Sequence, residues 1–247
     1  LQEAGITDLS QSLFERLYLK CQAEGWDWAY GQLTHQGRMH EDIMQFPANA
    51  FYQGHLQCLP ESTARFALQQ RPIDWKLPPD ANALEQALCR KRLVYLPTPV
   101  DVGSTTLKTN EHEARLLVDL VKAFERLAQE NGAPLREGSI GIITPYRAQI
   151  AQIRSMLEAE KLAPEAYTID TVERYQGGAR DIILISLCTN AERQMQSLSA
   201  LSTEGVDRKL NVAMTRARSH LVLLGNDKIL ESSPVYKQLL DFCRRDG

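Results

Sequence analysis

The residues best suited to chemistry are basic and lie near the end of the sequence. In RKLNVAMTRARSH, Arg208, Lys209, Arg216, Arg218 and His220 place five potential cations within thirteen positions. A guanidinium fork matches phosphate oxygens and stays charged, so one reading is an arginine that reaches a phosphate. The other is a solvated basic helix end, where Lys and Arg favour the helix dipole. Arg216 and Arg218, two apart, do not share one helical face and can serve different partners. TVERYQGGARD (171–181) carries Gly177 and Gly178, which permit close backbone approach to a ligand or simply make a tight turn. In TPYRAQ (144–149), Thr144 and Tyr146 offer hydroxyls, or finish a strand and cap a helix. His35 and His40 have no Cys or His partner at ligand spacing, so no metal is expected there.

Regular elements must carry these segments. Leu9, Leu13 and Leu17, with Phe14, mark one face of an early helix. From Trp26 to Leu59 there is no clear period. Trp26, Trp28 and Tyr30 read as core packing or a domain contact in preference to a base-stacking platform, and Phe46, Phe51 and Tyr52 as core. Pro60, Pro72, Pro78 and Pro79 make 60–90 irregular, with a short helix near Leu84 to Leu88. Strands are expected near 92–96, 139–144, 167–171, 181–187 and 220–225. Asn110 with Glu113 forms a capping box that opens a helix striped by Ala114, Leu117, Val118, Val121 and Leu127. Glu111, Glu113, Glu125 and Glu130 read as its solvated face. Ile150, Ile153 and Leu157 mark another helix, 207–217 a third, and Ser233-Pro234 starts the last. Cys188 reads as buried and inert.

Strands alternating with helices predict an α/β fold with a parallel sheet covered on both faces. Working residues of such a sheet sit beyond the carboxyl ends of its strands. That rule would gather TPYRAQ, TVERYQGGARD and the TRAR helix at one rim.

Composition excludes several classes. With 43% hydrophobic and 24% charged residues, the 247-residue chain has the make-up of a soluble globular protein. A net charge of -3 gives no bulk attraction to nucleic acid, so such a role needs a local basic patch. The five cysteines are scattered and never in a CxxC pair, which fits a reducing, cytoplasmic setting. No apolar run reaches the ~20 residues of a membrane span. No G-x-x-x-x-G-K-[ST] phosphate loop and no Asp-Glu magnesium pair is present.

Taken in order, GRMHEDIMQFPANAFYQGHL (37–56), ITPYRAQ (143–149), TVERYQGGARD and RKLNVAMTRAR resemble the superfamily 1 helicases, in the branch of the eukaryotic RNA-surveillance helicase. LSQSLFERL (9–17) is similar to the segment after that family's third motif. The resemblance implies the second of two RecA-like motor domains, without a phosphate loop of its own. Residues 1–60 would lead from the first motor domain, 61–91 would be an irregular Pro-rich region, and 92–247 the motor core. The chain reads as starting in mid-protein, with the ATP-gripping half of the same polypeptide upstream. ATP and Mg2+ would be held mainly by that half.

Residue by residue, the resemblance makes Arg216 the arginine finger and Arg38 a second γ-phosphate arginine. It places Gln176 and Gly177 at a turn near the nucleotide. Thr171, with Thr144 and Tyr146, would contact single-stranded DNA or RNA, and movement would run 5′ to 3′. The chain departs from the family pattern at Gly37, where an aromatic stacks on adenine, at Ala179, where a Glu nears the ribose, and at Glu41, where a Pro stands. Those departures keep a second reading open: a retired helicase-like module that binds nucleic acid or protein.

Overall fold

The computed structural model describes residues 13–175, 178–199 and 207–245. Leu9 lies outside them. The chain forms two compact units, Leu1–Thr34 and His35–Gly247. The division falls at Thr34, rather than at the expected 60 and 91.

In the first unit, helix α1 spans Leu13–Ala23 and buries none of its residues. The expected helix is there, but Leu13, Phe14 and Leu17 are all exposed. Phe14 stacks on Tyr18, and Tyr30 meets the Tyr18 ring edge-on. Core packing fails for the tryptophans: Trp28 is 85% exposed, and Trp26 lies under the Lys20 ammonium at 5.8 Å.

The second unit is built on five strands: β1 (Leu93–Pro97), β2 (Ile140–Ile143), β3 (Thr168–Asp170), β4 (Arg180–Ser186) and β5 (Ala217–Gly225). All pair in parallel, in the order β1-β5-β4-β2-β3. Alternate residues serve opposite faces of a strand. Ile183 and Ile185 of β4 join one core, with helices α2 (Glu41–Phe51), α7 (Arg208–Met214) and α8 (Pro234–Arg244). Ile182 and Leu184 join the other, with α4 (Ala83–Arg90), α5 (Glu111–Glu130) and α6 (Arg147–Ala159). The sheet is thus covered by helices on both faces, the RecA-like α/β arrangement expected. Among the described residues no helix is long and apolar enough to cross a membrane.

Segments read as irregular prove ordered. In the stretch without a clear period, α2 buries Ile43 and Phe46, although Phe51 and Tyr52 are only half-buried. The Pro-rich region holds α3 (Ala64–Gln69) and α4, with its prolines between helices. Asn82 and Glu85 satisfy each other's backbone N–H groups as a full capping box. Glu113 corrects another reading. It is not on a solvated face; it is fully buried, and only half of the predicted box forms. Asn110 accepts from the Glu113 N–H, while Gln149 Oε1 takes the Asn110 N–H.

Candidate functional site

The arginines converge at the amino ends of β4 and β5. There α7 stops at Met214 and Thr215 closes the turn. Arg216 therefore leaves the helix, and Arg218 lies inside β5, so TRAR is not helical as expected. Arg216 donates from Nε to the Val212 carbonyl at 3.2 Å and from Nη1 to that of Gly178 at 3.4 Å. Arg38, far upstream, donates from Nη1 to the Thr215 carbonyl at 2.9 Å. His40 fixes that approach, because its N–H bonds the Arg218 carbonyl at 2.8 Å. Gln36 Oε1 holds the Arg38 and Met39 N–H groups from the other side.

The result is two guanidinium groups side by side, with no carboxylate paired to either among the described residues. Burial holds the Arg216 guanidinium below its ordinary value, and the charge of Arg38 pushes the same way. Two like charges packed together raise the local potential and favour an anion. Free guanidinium edges of this kind suit phosphate oxygens.

A basic pocket of about 580 Å³ adjoins Arg38 and is lined also by Arg65, Arg71, Arg92 and Arg218. Gly37 sits at its edge. A Cβ on Gly37 would meet Leu59 Cδ1 at 2.6 Å, and Arg65 donates to the Gly37 carbonyl at 3.2 Å. Leu59 and Arg65 thus occupy the space that a side chain at 37 would need. Ala179 offers only its carbonyl, to Arg180 at 2.9 Å. Glu41 is structurally neutral: it is the first residue of α2, where Pro is well tolerated and a carboxylate suits the helix dipole.

The hydroxyl candidates stand at the opposite, carboxyl ends of the strands. Thr144 follows β2, Tyr146 precedes α6, and Thr171 follows β3. The carboxyl-end rule holds for these and fails for the arginines, because TRAR precedes its strand. Thr171 is half-buried in the turn whose carbonyl receives the Arg174 and Tyr175 N–H groups. The Tyr146 hydroxyl lies 2.9 Å from Ser197 Oγ. Thr144 does not present itself to a strand; it is fully buried, its hydroxyl unpartnered, beside an apolar cavity of about 140 Å³. Gln176 and Gly177 lie outside the described residues.

Sequence reasoning missed the device that crosses between the two ends. Tyr175 lies over Gly141 of β2, and a Cβ there would fall 2.0 Å from the Tyr175 hydroxyl. Arg180 packs 5.8 Å from the Tyr175 ring centroid and donates from Nε and Nη2 to Thr168 Oγ1 at 3.1 and 3.0 Å. The glycine inside an apolar strand was the available signal. No group of three metal-ligating side chains occurs among the described residues. His40 is buried and bonds the Arg71 carbonyl through Nε2 at 2.9 Å.

A family model described as "AAA domain" matches residues 9–228. The chain is similar to "Regulator of nonsense transcripts 1" of Dictyostelium discoideum, 34% identical, covering 94% of this chain and 16% of that protein. It is 30% identical to the Drosophila melanogaster homolog, covering 98% of this chain and 19% of that protein. It is 32% identical to "DNA replication ATP-dependent helicase/nuclease DNA2" of Mus musculus, covering 97% and 22%. The chain therefore spans less than a quarter of the length of these relatives.

Proposed function

Because the chain belongs to the AAA domain family, in the RNA-surveillance-helicase branch of superfamily 1, we propose that it works as the second motor domain of an ATP-dependent helicase or translocase. The observation that carries this reading is the Arg38–Arg216 pair. Two segments far apart in sequence deliver unpaired guanidinium groups to one rim. A domain that only bound a partner would have no use for that convergence.

Arg216 would stabilise charge on the transferring γ-phosphoryl group of ATP, with Arg38 beside it. Gln176 and Gly177 would line the nucleotide side of the turn. The phosphate loop and the carboxylates that hold Mg2+ would belong to the first motor domain of the same polypeptide. Thr171 and Tyr146, at the other end of the sheet, would hold single-stranded DNA or RNA; buried Thr144 is dropped from that set. A cleft that closes on ATP would pull this domain toward the other and shift its strand-holding loops. Translocation is then a population shift driven by differential binding. Tyr175 and Arg180 support such coupling: the Tyr175 N–H bonds the Thr171 carbonyl, its ring lies over Gly141, and Arg180, at the start of β4, packs on that ring and bonds Thr168.

The retired-module reading draws on Gly37 and Ala179. Leu59 fills the place of an adenine-stacking side chain, so base contacts at that point are lost. Phosphate contacts do not depend on it.

The test is ATP hydrolysis by the complete protein, with and without single-stranded DNA or RNA, beside Arg216→Ala. We expect stimulated turnover that falls by about 10³-fold or more in the variant. The 247-residue chain alone should fold and hydrolyse nothing. Turnover indifferent to Arg216, or none in the complete protein, would favour the retired module; turnover by the isolated chain would sink the split site.

A further inference from the structure

Among the described residues strand β1 is an edge of the sheet, paired only with β5. In a parallel ladder alternate residues bond the neighbour. Here the Leu221 N–H bonds the Arg92 carbonyl at 2.7 Å, and the Thr98 N–H bonds the Gly225 carbonyl at 2.8 Å. That register commits 92, 94, 96 and 98 to β5. The N–H and C=O groups of Leu93 and Tyr95 face the other way, and no partner meets them among the described residues. They border a groove of about 700 Å³, floored by Leu93 to Leu96 and walled by α2, α4 and the end of α8. An open edge with paired donors and acceptors is a template for another strand.

The walls are basic. Arg90, Lys91 and Arg92 line the groove against a single carboxylate, Asp42. Arg244 is already neutralised by Asp227 at 2.7 Å and Glu231 at 2.8 Å. Lys91 Nζ donates to the Cys243 carbonyl, and Arg90 has no carboxylate partner among the described residues. Arg92 is buried and already partnered: its Nε faces Asp42 at 3.8 Å, Nη1 donates to Ser219 and Nη2 to the Arg71 carbonyl, so Arg90 and Lys91 carry the groove's free positive charge.

We propose that this groove captures an extended acidic segment of a partner protein, added to β1 as a sixth strand. Backbone pairing with Leu93 and Tyr95 supplies the register, as in other strand-addition complexes. The basic wall selects acidic side chains and sets their approach. Pro97, which has no N–H, closes the edge after two donors. The site lies on the sheet edge and does not depend on ATP turnover.

The probe is a fluorescent decapeptide of alternating Glu and Val, titrated against the chain by anisotropy. Three companions accompany it: a Lys–Val version, a Glu–Val version N-methylated at two adjacent central residues, and a single-stranded oligonucleotide. Amide shifts of Leu93 and Tyr95 are followed by NMR. We expect the Glu–Val peptide to bind and move those two amides, with the N-methylated and Lys–Val peptides at least ~10-fold weaker. Arg90→Glu with Lys91→Glu should reverse the charge preference, a gain that a misfolded variant cannot show. The proposal is overturned by equal binding of the N-methylated peptide, by an oligonucleotide that moves the same amides in the peptide's place, by dimerisation of the chain that shifts them, or by no binding at about 1 mM.

Discussion

Gly141 shows how much of the site rests on one missing methyl group. Its Cβ would lie 2.0 Å from the Tyr175 hydroxyl, 2.8 Å from Ile183 Cδ1 and 2.9 Å from Arg180 Cγ. All three are packed against the sheet, so none can give way freely. Gly141→Ala should therefore destabilise the chain by about 1–3 kcal/mol, the usual cost of overpacking. Gly178→Ala is the control. A Cβ there makes only ordinary contacts of 3.7 Å or more, and its φ lies outside the left-handed region, so the loss should stay within ~0.5 kcal/mol. Urea denaturation of both variants checks the contrast; equal losses would remove Tyr175–Gly141 as the brace. The sequence singled out the other glycines because Gly-Gly is a visible turn signal. Gly141 stands out in SIGIIT as a glycine inside an apolar strand, but the contact that requires it comes from a residue 34 positions on. Arg38 and Arg216 were legible for the opposite reason. Arginine in a dense basic segment advertises itself, and the structure needed only to bring two such segments together.

Among the elements, α5 was the most legible and also the most misread. Its stripe of Ala114, Leu117, Val118, Val121 and Leu127 is buried along its length, as period 3.6 requires. Its first turn differs from the expectation, which set Glu113 on a solvated face, whereas the side chain is fully buried. Glu113 instead turns inward. Oε2 accepts from Ser186 Oγ and the Cys188 N–H, both at 2.7 Å, and Oε1 from the Thr189 N–H at 3.0 Å. Burial pushes its pKa up, opposed by these donors. One carboxylate thus ties the start of α5 to the end of β4, where Cys188 sits buried at φ 52°. Glu113→Ala should cost about 3–5 kcal/mol, since it leaves four buried donors, the Thr189 hydroxyl among them, without this acceptor. Glu113→Gln should cost less, because it keeps one acceptor oxygen and meets the other donors with an N–H₂ group. The unfolding midpoints of the two variants decide the matter; a near-neutral Glu113→Ala would mean water replaces the carboxylate. Nothing local could have shown this, as Ser186 and Thr189 lie more than 70 positions away.

For the whole molecule, the parallel α/β arrangement was readable because fully buried strands are continuous apolar runs and the helices between them keep one period. The boundaries of 60 and 91 were not readable, since prolines mark breaks between helices without saying what the helices pack on. Leu88 and Trp75 join the core of the sheet's α5 face, which welds the Pro-rich region to the sheet. That same weld should make stability fall in acid. Trp75 stacks on His220 at 5.0 Å and 10°, and Phe124 meets the ring edge at 5.4 Å. Burial, then the neighbouring Arg92, push the His220 pKa down to about 3 from an ordinary 6.5. His40 is lowered too, by burial and then by Arg92. Between pH 6.5 and about 3 the unfolded chain therefore takes up a proton at position 220 that the folded chain refuses. This contribution is fully present above pH 6.5 and is lost as pH falls, at up to ~1.4 kcal/mol per unit. The raised pKa of Glu113 acts in the other sense, favouring the folded state where its carboxyl is protonated. His220→Phe keeps the ring against Trp75 and Phe124 but cannot titrate, so its stability should fall less steeply between pH 6.5 and 5 than that of the parent. Urea titrations at several pH values measure both slopes. Parallel slopes would mean that the imidazole is protonated in the folded chain, and that the Trp75 stack tolerates a charge the present packing gives it no partner to offset.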